Sequence, residues 1–170
     1  MKVPVSFEFF PPNTPVGSEK LKTVVAELAA VQPEFFSVTY GAGGATREKT
    51  LATVQDIAAL GFDAAPHLSC VGSTREGIAE ILATYRAQGI RRLVALRGDL
   101  PSGSVMPGEF RYASELVAFV RETQGSDWHI EVAAYPEYHP QQRYAKKDLD
   151  HFAAKVKAGA DSAITQFFFN

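Results

Sequence analysis

The chain has 170 residues, of which 46% are hydrophobic and 21% charged, and its formal net charge is -2. This composition is ordinary for a globular domain, and the length predicts a single domain over residues 1–170 with a substantial core. The balanced charge argues against nucleic-acid binding, which needs a surplus of basic residues. No apolar stretch is long enough to cross a membrane, and the single cysteine cannot form an internal disulfide. We therefore expect a cytoplasmic protein.

Short apolar segments rich in β-branched and aromatic residues alternate with segments of helical spacing. The apolar segments predict strands at Val3–Phe9, Glu34–Tyr40, Asp63–Leu68, Arg92–Leu96, His129–Tyr135 and Ser162–Phe168. Between them, four segments carry apolar residues at i, i+3, i+4 and i+7, the last being Leu149, Phe152, Ala153 and Val156. The second intervening segment has a weaker stripe, Leu51, Val54 and Ala58. The order βαβαβαβαβαβ predicts a parallel sheet covered by helices.

Two architectures fit this order, an open doubly wound sheet and a (β/α)8 TIM barrel. On the first predicted strand, bulky Phe7 and Phe9 alternate with Glu8, and the second and fifth strands alternate in the same way. A doubly wound sheet should be apolar on both faces, so the α/β barrel is favoured. Eight strand–helix units need about 250 residues. We therefore expect an incomplete barrel of six strands and five helices, truncated after the sixth strand.

Active sites of βα-barrels lie at the C-terminal ends of the strands. Each predicted strand places a hydrogen-bonding or ionisable residue there, which predicts a polar pocket formed by Glu8, Thr39, His67, Arg97 with Asp99, Tyr135 with Glu137, and Gln166. Pro66 lies inside the third predicted strand, and we interpret it as a bulge or kink that aims His67. His67 and Cys70 have no second pair at ligand spacing, so no metal site is predicted.

Glu8 is the candidate proton donor among these residues. Its neighbours in the sequence are Phe7, Phe9 and Phe10, and an apolar surrounding would raise the pKa of the carboxyl toward the range of a general acid. A structural carboxylate paired with an interior cation such as Arg97 is an equal alternative.

Three further features have a functional and an ordinary interpretation. Arg97-Gly98-Asp99 could bind an anion and a heterocyclic N–H, or could form a tight turn with an internal ion pair. The glycine-rich loop 40–46 could offer backbone N–H groups to an anion, although it lacks the third glycine of a dinucleotide fingerprint. Asp148 and Lys155 share one face of the last helix, where solvated charges are the default interpretation.

Six separated segments, in order, resemble the methylenetetrahydrofolate reductase family, whose members are flavoproteins that make 5-methyltetrahydrofolate. The matching segments are Ser6–Pro12, Phe36–Gly44, Pro66–Cys70, Ala95–Pro101, Ala134–Pro140 and Ile164–Phe169. The resemblance implies a (β/α)8 barrel with FAD lying across the strand tips. It also implies one site that NADH or NADPH and folate use in turn, in a ping-pong reaction through reduced flavin.

The resemblance assigns roles by position. Glu8 matches the family's general acid, which protonates methylenetetrahydrofolate at N10 and opens the ring to a 5-iminium ion. Asp99 matches an acid near flavin and pterin, and Gln166 matches a pterin and nicotinamide contact. The positions that match FAD contacts are Thr39, Tyr40, Ala42, His67, Arg97, Gly98, Asp99, Tyr112, Ala113, Tyr135, His139, Asp148 and Lys155. Asp148 and Lys155 thereby become candidate ribose and phosphate contacts rather than solvated charges.

The function implied is the FAD-dependent reduction of 5,10-methylenetetrahydrofolate by NAD(P)H, without a metal. We expect the complete protein to be a homo-oligomer. Two alternatives stay open. The chain could be a non-catalytic fragment with residual flavin binding at most, because the last two barrel strands are absent. It could also be a barrel enzyme of other pterin one-carbon chemistry, such as methyl transfer.

Overall fold

The computed structural model describes residues 3–40, 47–99, 108–137 and 145–169. The strands are β1 (Ser6–Phe9), β2 (Phe35–Val38), β3 (Ala64–Ser69), β4 (Arg92–Leu96), β5 (His129–Ala134) and β6 (Ser162–Thr165). The helices are α1 (Pro15–Leu28), α2 (Arg47–Ala59), α3 (Arg75–Ala87), α4 (Ala113–Gln124) and α5 (Ala145–Lys157). Within the described ranges, no helix is both long enough and apolar enough to span a membrane.

The six strands are parallel, and each pairs with its neighbour in chain order from β1 to β6. A doubly wound sheet reverses its strand order at a switch point. No reversal occurs among these strands, so helices cover one face and the other face is concave. The sheet is a curled half-barrel, which confirms the prediction of a (β/α)8 barrel truncated after its sixth strand.

The hydrophobic core lies between the convex face of the sheet and the helices. Phe36, Leu68 and Ile130 are fully buried there and pack with residues from α1 to α4. The concave face carries a smaller apolar cluster of Phe35, Ala65 and Val94. Strand register places polar side chains on this same concave face, namely Glu8, Ser37, His67, Arg92 and Glu131.

Helix α2 buries a face that differs from the predicted stripe. Ala58 is exposed, whereas Ile57 is fully buried together with two threonines, Thr50 and Thr53. Their hydroxyls are satisfied, because Thr50 donates to the Thr39 carbonyl at 2.9 Å and Thr53 donates to the Lys49 carbonyl at 2.8 Å. The prediction was wrong at Ala58. The predicted stripe was drawn through apolar residues alone and so passed over the two threonines, although a hydrogen-bonded threonine is compatible with burial.

Helix α5 forms as predicted, but its apolar stripe is mostly exposed. Leu149 is 66% exposed and Val156 is 50% exposed, while Phe152 packs at the edge of the core. Among the described elements α5 packs against α4 and β5, so only part of its surface is covered. The neighbouring strand β6 also ends at Thr165, earlier than the predicted Phe168.

The strand β3 continues through Pro66 without interruption. Ala64–Pro66 pair with β2, and His67–Ser69 pair with β4. Proline has no N–H to donate to a ladder, and here it lies where the strand changes partners. The interpretation of Pro66 as a kink that aims His67 stays a prediction.

Candidate functional site

A pocket of about 260 Å³ lies at the carboxyl ends of β4 and β5, beneath the first turn of α4 and one face of α5. Eight residues proposed from the sequence line it: Arg97, Gly98, Asp99, Tyr112, Ala113, Tyr135, Asp148 and Lys155. The parallel arrangement explains this convergence, because the carboxyl ends of parallel strands meet at one edge of the sheet. The structure therefore brings together residues that are up to 58 positions apart in the chain.

The segment after β4, residues 97–99, also lines the pocket. Arg97 Nη2 lies 3.9 Å from Asp99 Oδ1, and the Asp99 side chain is 81% exposed. Gly98 has φ +82°, which side chains rarely adopt, and a Cβ there would lie 1.9 Å from Ser69 Oγ. Of the ordinary interpretation of this tripeptide, the internal ion pair is present, whereas residues 97–99 form an irregular segment rather than an assigned turn.

We expect Gly98→Ala to lower the free energy of unfolding by about 1–3 kcal/mol, because it adds φ strain and a steric clash. Urea denaturation measures this change. Gly61→Ala is the matched control, since Gly61 has φ +89° but open space around its Cβ position. Equal losses in the two variants would contradict the proposed clash with Ser69.

The first turn of α4 presents backbone and aromatic groups to the pocket. Ala113 and Ser114 lie where helix N–H groups lack intrahelical acceptors, and such a terminus favours anions. The Glu115 carboxylate accepts from the backbone N–H of Arg111 at 2.6 Å and so helps to fix the start of the helix. The Tyr112 ring stacks on His151 with centroids 4.8 Å apart. Ser114 and His151 are pocket residues that sequence reasoning missed.

One face of α5 faces the pocket. Asp148, His151 and Lys155 line it, and their i, i+3, i+7 spacing is the signal that could have found His151. The Lys155 amine donates to the Ala133 carbonyl, and burial lowers the pKa of this amine while Asp148 opposes the shift. Burial, Asp148 and Asp99 raise the pKa of Tyr135. Solvated helix charges are therefore the wrong interpretation of Lys155, which is partly buried at the strand ends.

Glu8 and His67 form a second group on the concave face. His67 Nε2 lies 3.5 Å from Glu8 Oε2, and in the part of the chain that the structure describes Nε2 has no hydrogen-bond partner. His67 is buried, and burial lowers its pKa to about 4. Burial also raises the pKa of the Glu8 carboxyl, although about half of this side chain is exposed.

The surroundings of Glu8 differ from the prediction. Phe7 and Phe9 point to the opposite face of the sheet and stack on Phe36, and Phe10 is 79% exposed. These phenylalanines therefore do not enclose the carboxyl. The predicted direction of the pKa shift is confirmed, but its source is partial burial on the concave face beside His67.

The remaining predicted residues lie outside the pocket or outside the described residues. The Thr39 carbonyl accepts a hydrogen bond from Thr50, and Thr39 and Tyr40 follow the end of β2. Gln166 is exposed, and its side-chain oxygen accepts from the Phe167 N–H at 3.0 Å. Ala42 and His139 lie outside the described residues. In the part of the chain that is described, no three His, Cys, Asp or Glu side chains are grouped as metal ligands.

A buried ionic network at the other end of the half-barrel was also missed. Arg92 Nη1 lies 2.8 Å from Glu131 Oε1, and Arg92 Nε lies 2.8 Å from Asp63 Oδ2. His129 and Ser162 also contact the Glu131 carboxylate. The period of two along β4 and β5, which places both charges on the concave face, is the signal that could have found them. Because this network lies near the amino ends of the strands, we assign it a role in stability.

Comparison with known proteins identifies relatives along the full chain. The family model of methylenetetrahydrofolate reductase matches residues 1–170. The 5,10-methylenetetrahydrofolate reductases of Salmonella typhimurium and Escherichia coli are each 45% identical over 170 residues, which is 99% of this chain and 56% of the relative. Methylenetetrahydrofolate reductase (NADH) 1 of Arabidopsis thaliana is 37% identical over 97% of this chain and 30% of its own length.

Solved structures support the fold alone. The aldolase QR15 superposes with a TM-score of 0.62 at 11% identity, covering 97% of this chain and 69% of the aldolase. The carboxyl transferase domain of Rhizobium etli pyruvate carboxylase with pyruvate gives a TM-score of 0.63 at 14% identity, over 95% of this chain and 26% of that one. The chain spans about half the length of the bacterial relatives it matches. Because the family model matches every residue, the chain belongs to the methylenetetrahydrofolate reductase family.

Proposed function

We propose that the protein reduces 5,10-methylenetetrahydrofolate to 5-methyltetrahydrofolate, with FAD as cofactor and NAD(P)H as reductant in a ping-pong sequence. The observation that carries this proposal is that one pocket unites eight of the positions that match the family's FAD contacts. The chain covers 56% of its bacterial relatives, so the activity is proposed for the protein as a whole.

The chemistry of the pocket fits FAD. Arg97 and Lys155 supply cations for a diphosphate, and the first turn of α4 supplies N–H groups that favour the same anion. Asp148 can accept hydrogen bonds from ribose hydroxyls. Gly98 also lines the pocket, at a position where only a residue without a side chain leaves room for Ser69. FAD, when bound, supplies the hydride-transfer chemistry, and the protein supplies orientation and electrostatics.

Glu8 is the proposed proton donor to the folate. Its proton goes to N10, the bond between N10 and the bridging carbon breaks, and that carbon becomes the 5-iminium group that accepts a hydride. The raised pKa of Glu8 supports this role, because a general acid must still hold its proton near neutral pH. Glu8 is left as a carboxylate and regains its proton from solvent, which reaches its exposed half. Asp99 is proposed to stabilise the cation, and Gln166 to contact the pterin.

The test uses the purified protein. We expect a yellow protein that oxidises NADH with menadione as acceptor and that forms 5-methyltetrahydrofolate from the methylene form. A protein that retains no FAD after incubation with the cofactor and removal of the unbound excess would overturn the proposal. FAD binding without folate reduction would favour the fragment interpretation, and methyl transfer without NAD(P)H oxidation would favour other pterin chemistry.

Lys155→Met is expected to weaken FAD binding by about tenfold or more, because it removes a partly buried cation from the pocket. Quenching of FAD fluorescence on titration with protein measures the affinity. Lys157→Met is the control, since Lys157 is exposed near the end of the same helix. A similar loss in both variants would indicate a general effect of positive charge rather than a contact in the pocket.

We also propose that the protein acts in the cytoplasm as a homo-oligomer. The single cysteine, Cys70, is buried and free, which is compatible with a reducing compartment. Light scattering of the purified protein tests the oligomeric state.

A further inference from the structure

His67 presents an unsatisfied polar atom on the concave face of the sheet. Its side chain is buried, and no group within residues 3–40, 47–99, 108–137 and 145–169 makes a hydrogen bond to Nε2. A buried donor or acceptor without a partner destabilises a fold, and nearly all such groups in proteins are bonded. The position therefore points to a partner that bonds Nε2 during function.

Glu8 is the group best placed to be that partner. Its Oε2 lies 3.5 Å from His67 Nε2, just beyond hydrogen-bond distance. The two residues belong to β1 and β3, which are separated by β2. The position of β2 level with Glu8 is Ser37, a small buried residue, so the two longer side chains can meet across this strand.

The charge states of the two groups are compatible with a hydrogen bond. Burial lowers the pKa of His67 to about 4, so its ring is neutral at pH 7, and burial raises the pKa of Glu8. A neutral imidazole retains one N–H, and a protonated carboxyl retains one oxygen that only accepts. With the ring proton on Nε2 and the carboxyl proton on Oε1, a donor faces an acceptor across the 3.5 Å contact.

Other charged groups on neighbouring strands are bonded to partners of their own. Arg92 of β4 is paired with Glu131 of β5 at 2.8 Å, and Arg97 at the end of β4 lies 3.9 Å from Asp99. The interior position of β2 beside the pair is the uncharged Ser37. Within the described residues, Glu8 is thus the charged group in contact with His67.

We propose that His67 is a positioning residue for Glu8, donating from Nε2 to Oε2 so that the proton on Oε1 is presented to the substrate. This inference rests on the proposed role of Glu8 as proton donor. The contact is long before the reaction and shortens as Glu8 loses its proton, because the oxygen then becomes charged. An interaction that strengthens as charge develops stabilises the transition state more than the ground state.

Nitrogen-15 NMR of the purified protein without cofactor tests the contact directly. The His67 signals are identified by their loss in His67→Gln. We expect Nε2 to carry the ring proton at pH 7 and its signal to shift in Glu8→Ala. A proton on Nδ1 with Nε2 bare, or an Nε2 signal that Glu8→Ala leaves unchanged, would overturn the proposal. A signal that responds to FAD but not to Glu8→Ala would assign Nε2 to the cofactor and also overturn it.

Carbon-13 NMR titration of the Glu8 carboxyl is the second measurement. His67→Leu should raise the pKa of Glu8 by about one to two units, because the carboxylate loses a hydrogen-bond donor. His67→Gln should leave it near the wild-type value, because the glutamine amide also donates. Equal pKa values in His67→Leu and wild type would contradict the proposal.

The kinetic readout separates this inference from the proposed function. In the folate half-reaction, the fall in rate at high pH should move upward in His67→Leu by the same one to two units, because the reactive form of Glu8 is protonated. His67→Gln should retain the wild-type pH profile. Folate reduction by Glu8→Gln at the wild-type rate would refute the role of Glu8 as proton donor. The NMR measurements test the contact between His67 and Glu8 independently of that result.

Discussion

Glu8→Gln is expected to lower the rate of methylenetetrahydrofolate reduction by about 10²–10⁴-fold, which is the usual contribution of a general acid. Glutamine keeps the size of the side chain but has no acidic proton to give to N10. NADH should still reduce bound FAD in this variant, because that half-reaction requires no proton from Glu8. Stopped-flow measurement of the two half-reactions separates these effects.

Glu27→Gln is the matched control, since Glu27 is an exposed carboxylate near the end of α1. We expect it to leave both half-reactions at the wild-type rate. The acid assignment is wrong if Glu8→Gln reduces the folate as fast as Glu27→Gln does. A loss of both half-reactions in Glu8→Gln would instead indicate that Glu8 holds the cofactor.

Arg92→Met is expected to lower the free energy of unfolding by about 3–5 kcal/mol. The Arg92 side chain is 12% exposed and lies 2.8 Å from both Asp63 and Glu131. Glu131 is only 5% exposed, so loss of the arginine leaves a buried carboxylate without its cation. Urea denaturation at neutral pH measures the loss.

The double variant Arg92→Met/Glu131→Leu distinguishes an unpaired charge from lost packing. Replacing both members of a buried pair with apolar residues is often close to neutral, so the double variant should be more stable than Arg92→Met alone. Arg86→Met is the exposed control, because Arg86 and Asp127 form a surface pair worth less than about 1 kcal/mol. A double variant no more stable than Arg92→Met would show that packing of the arginine stem dominates.

The energetic contrast between the two ends of the half-barrel agrees with their proposed roles. The network of Arg92 and Glu131 is closed, since its charges bond one another. At the opposite end, the Asp99 side chain is 81% exposed, and His67 Nε2 has no hydrogen-bond partner among the described residues. Groups that are exposed or lack a protein partner are available to a ligand, whereas groups that are fully bonded hold the strands together.

Local pattern was sufficient for the elements and their order. The alternation of apolar segments and helical stripes predicted the six strands and five α-helices of the described residues, because the period of side-chain exposure follows directly from backbone geometry. It did not predict the short 3-10 helix Ala29–Val31. It failed where burial depends on neighbours. Ala58 was predicted to be buried and is exposed. Leu149 belongs to the predicted apolar stripe of α5, but its side chain is 66% exposed.

The sequence by itself determined the barrel class, the end of the sheet where the polar groups gather, and, through its motifs, the family. Only the tertiary structure showed that Lys155 lies half-buried at the strand ends, that Phe7 and Phe9 face away from Glu8, and which residue meets Glu8 across β2. The physical reason is that these facts depend on contacts between residues far apart in the chain. Such contacts are set by strand register and curvature, which local periodicity does not encode.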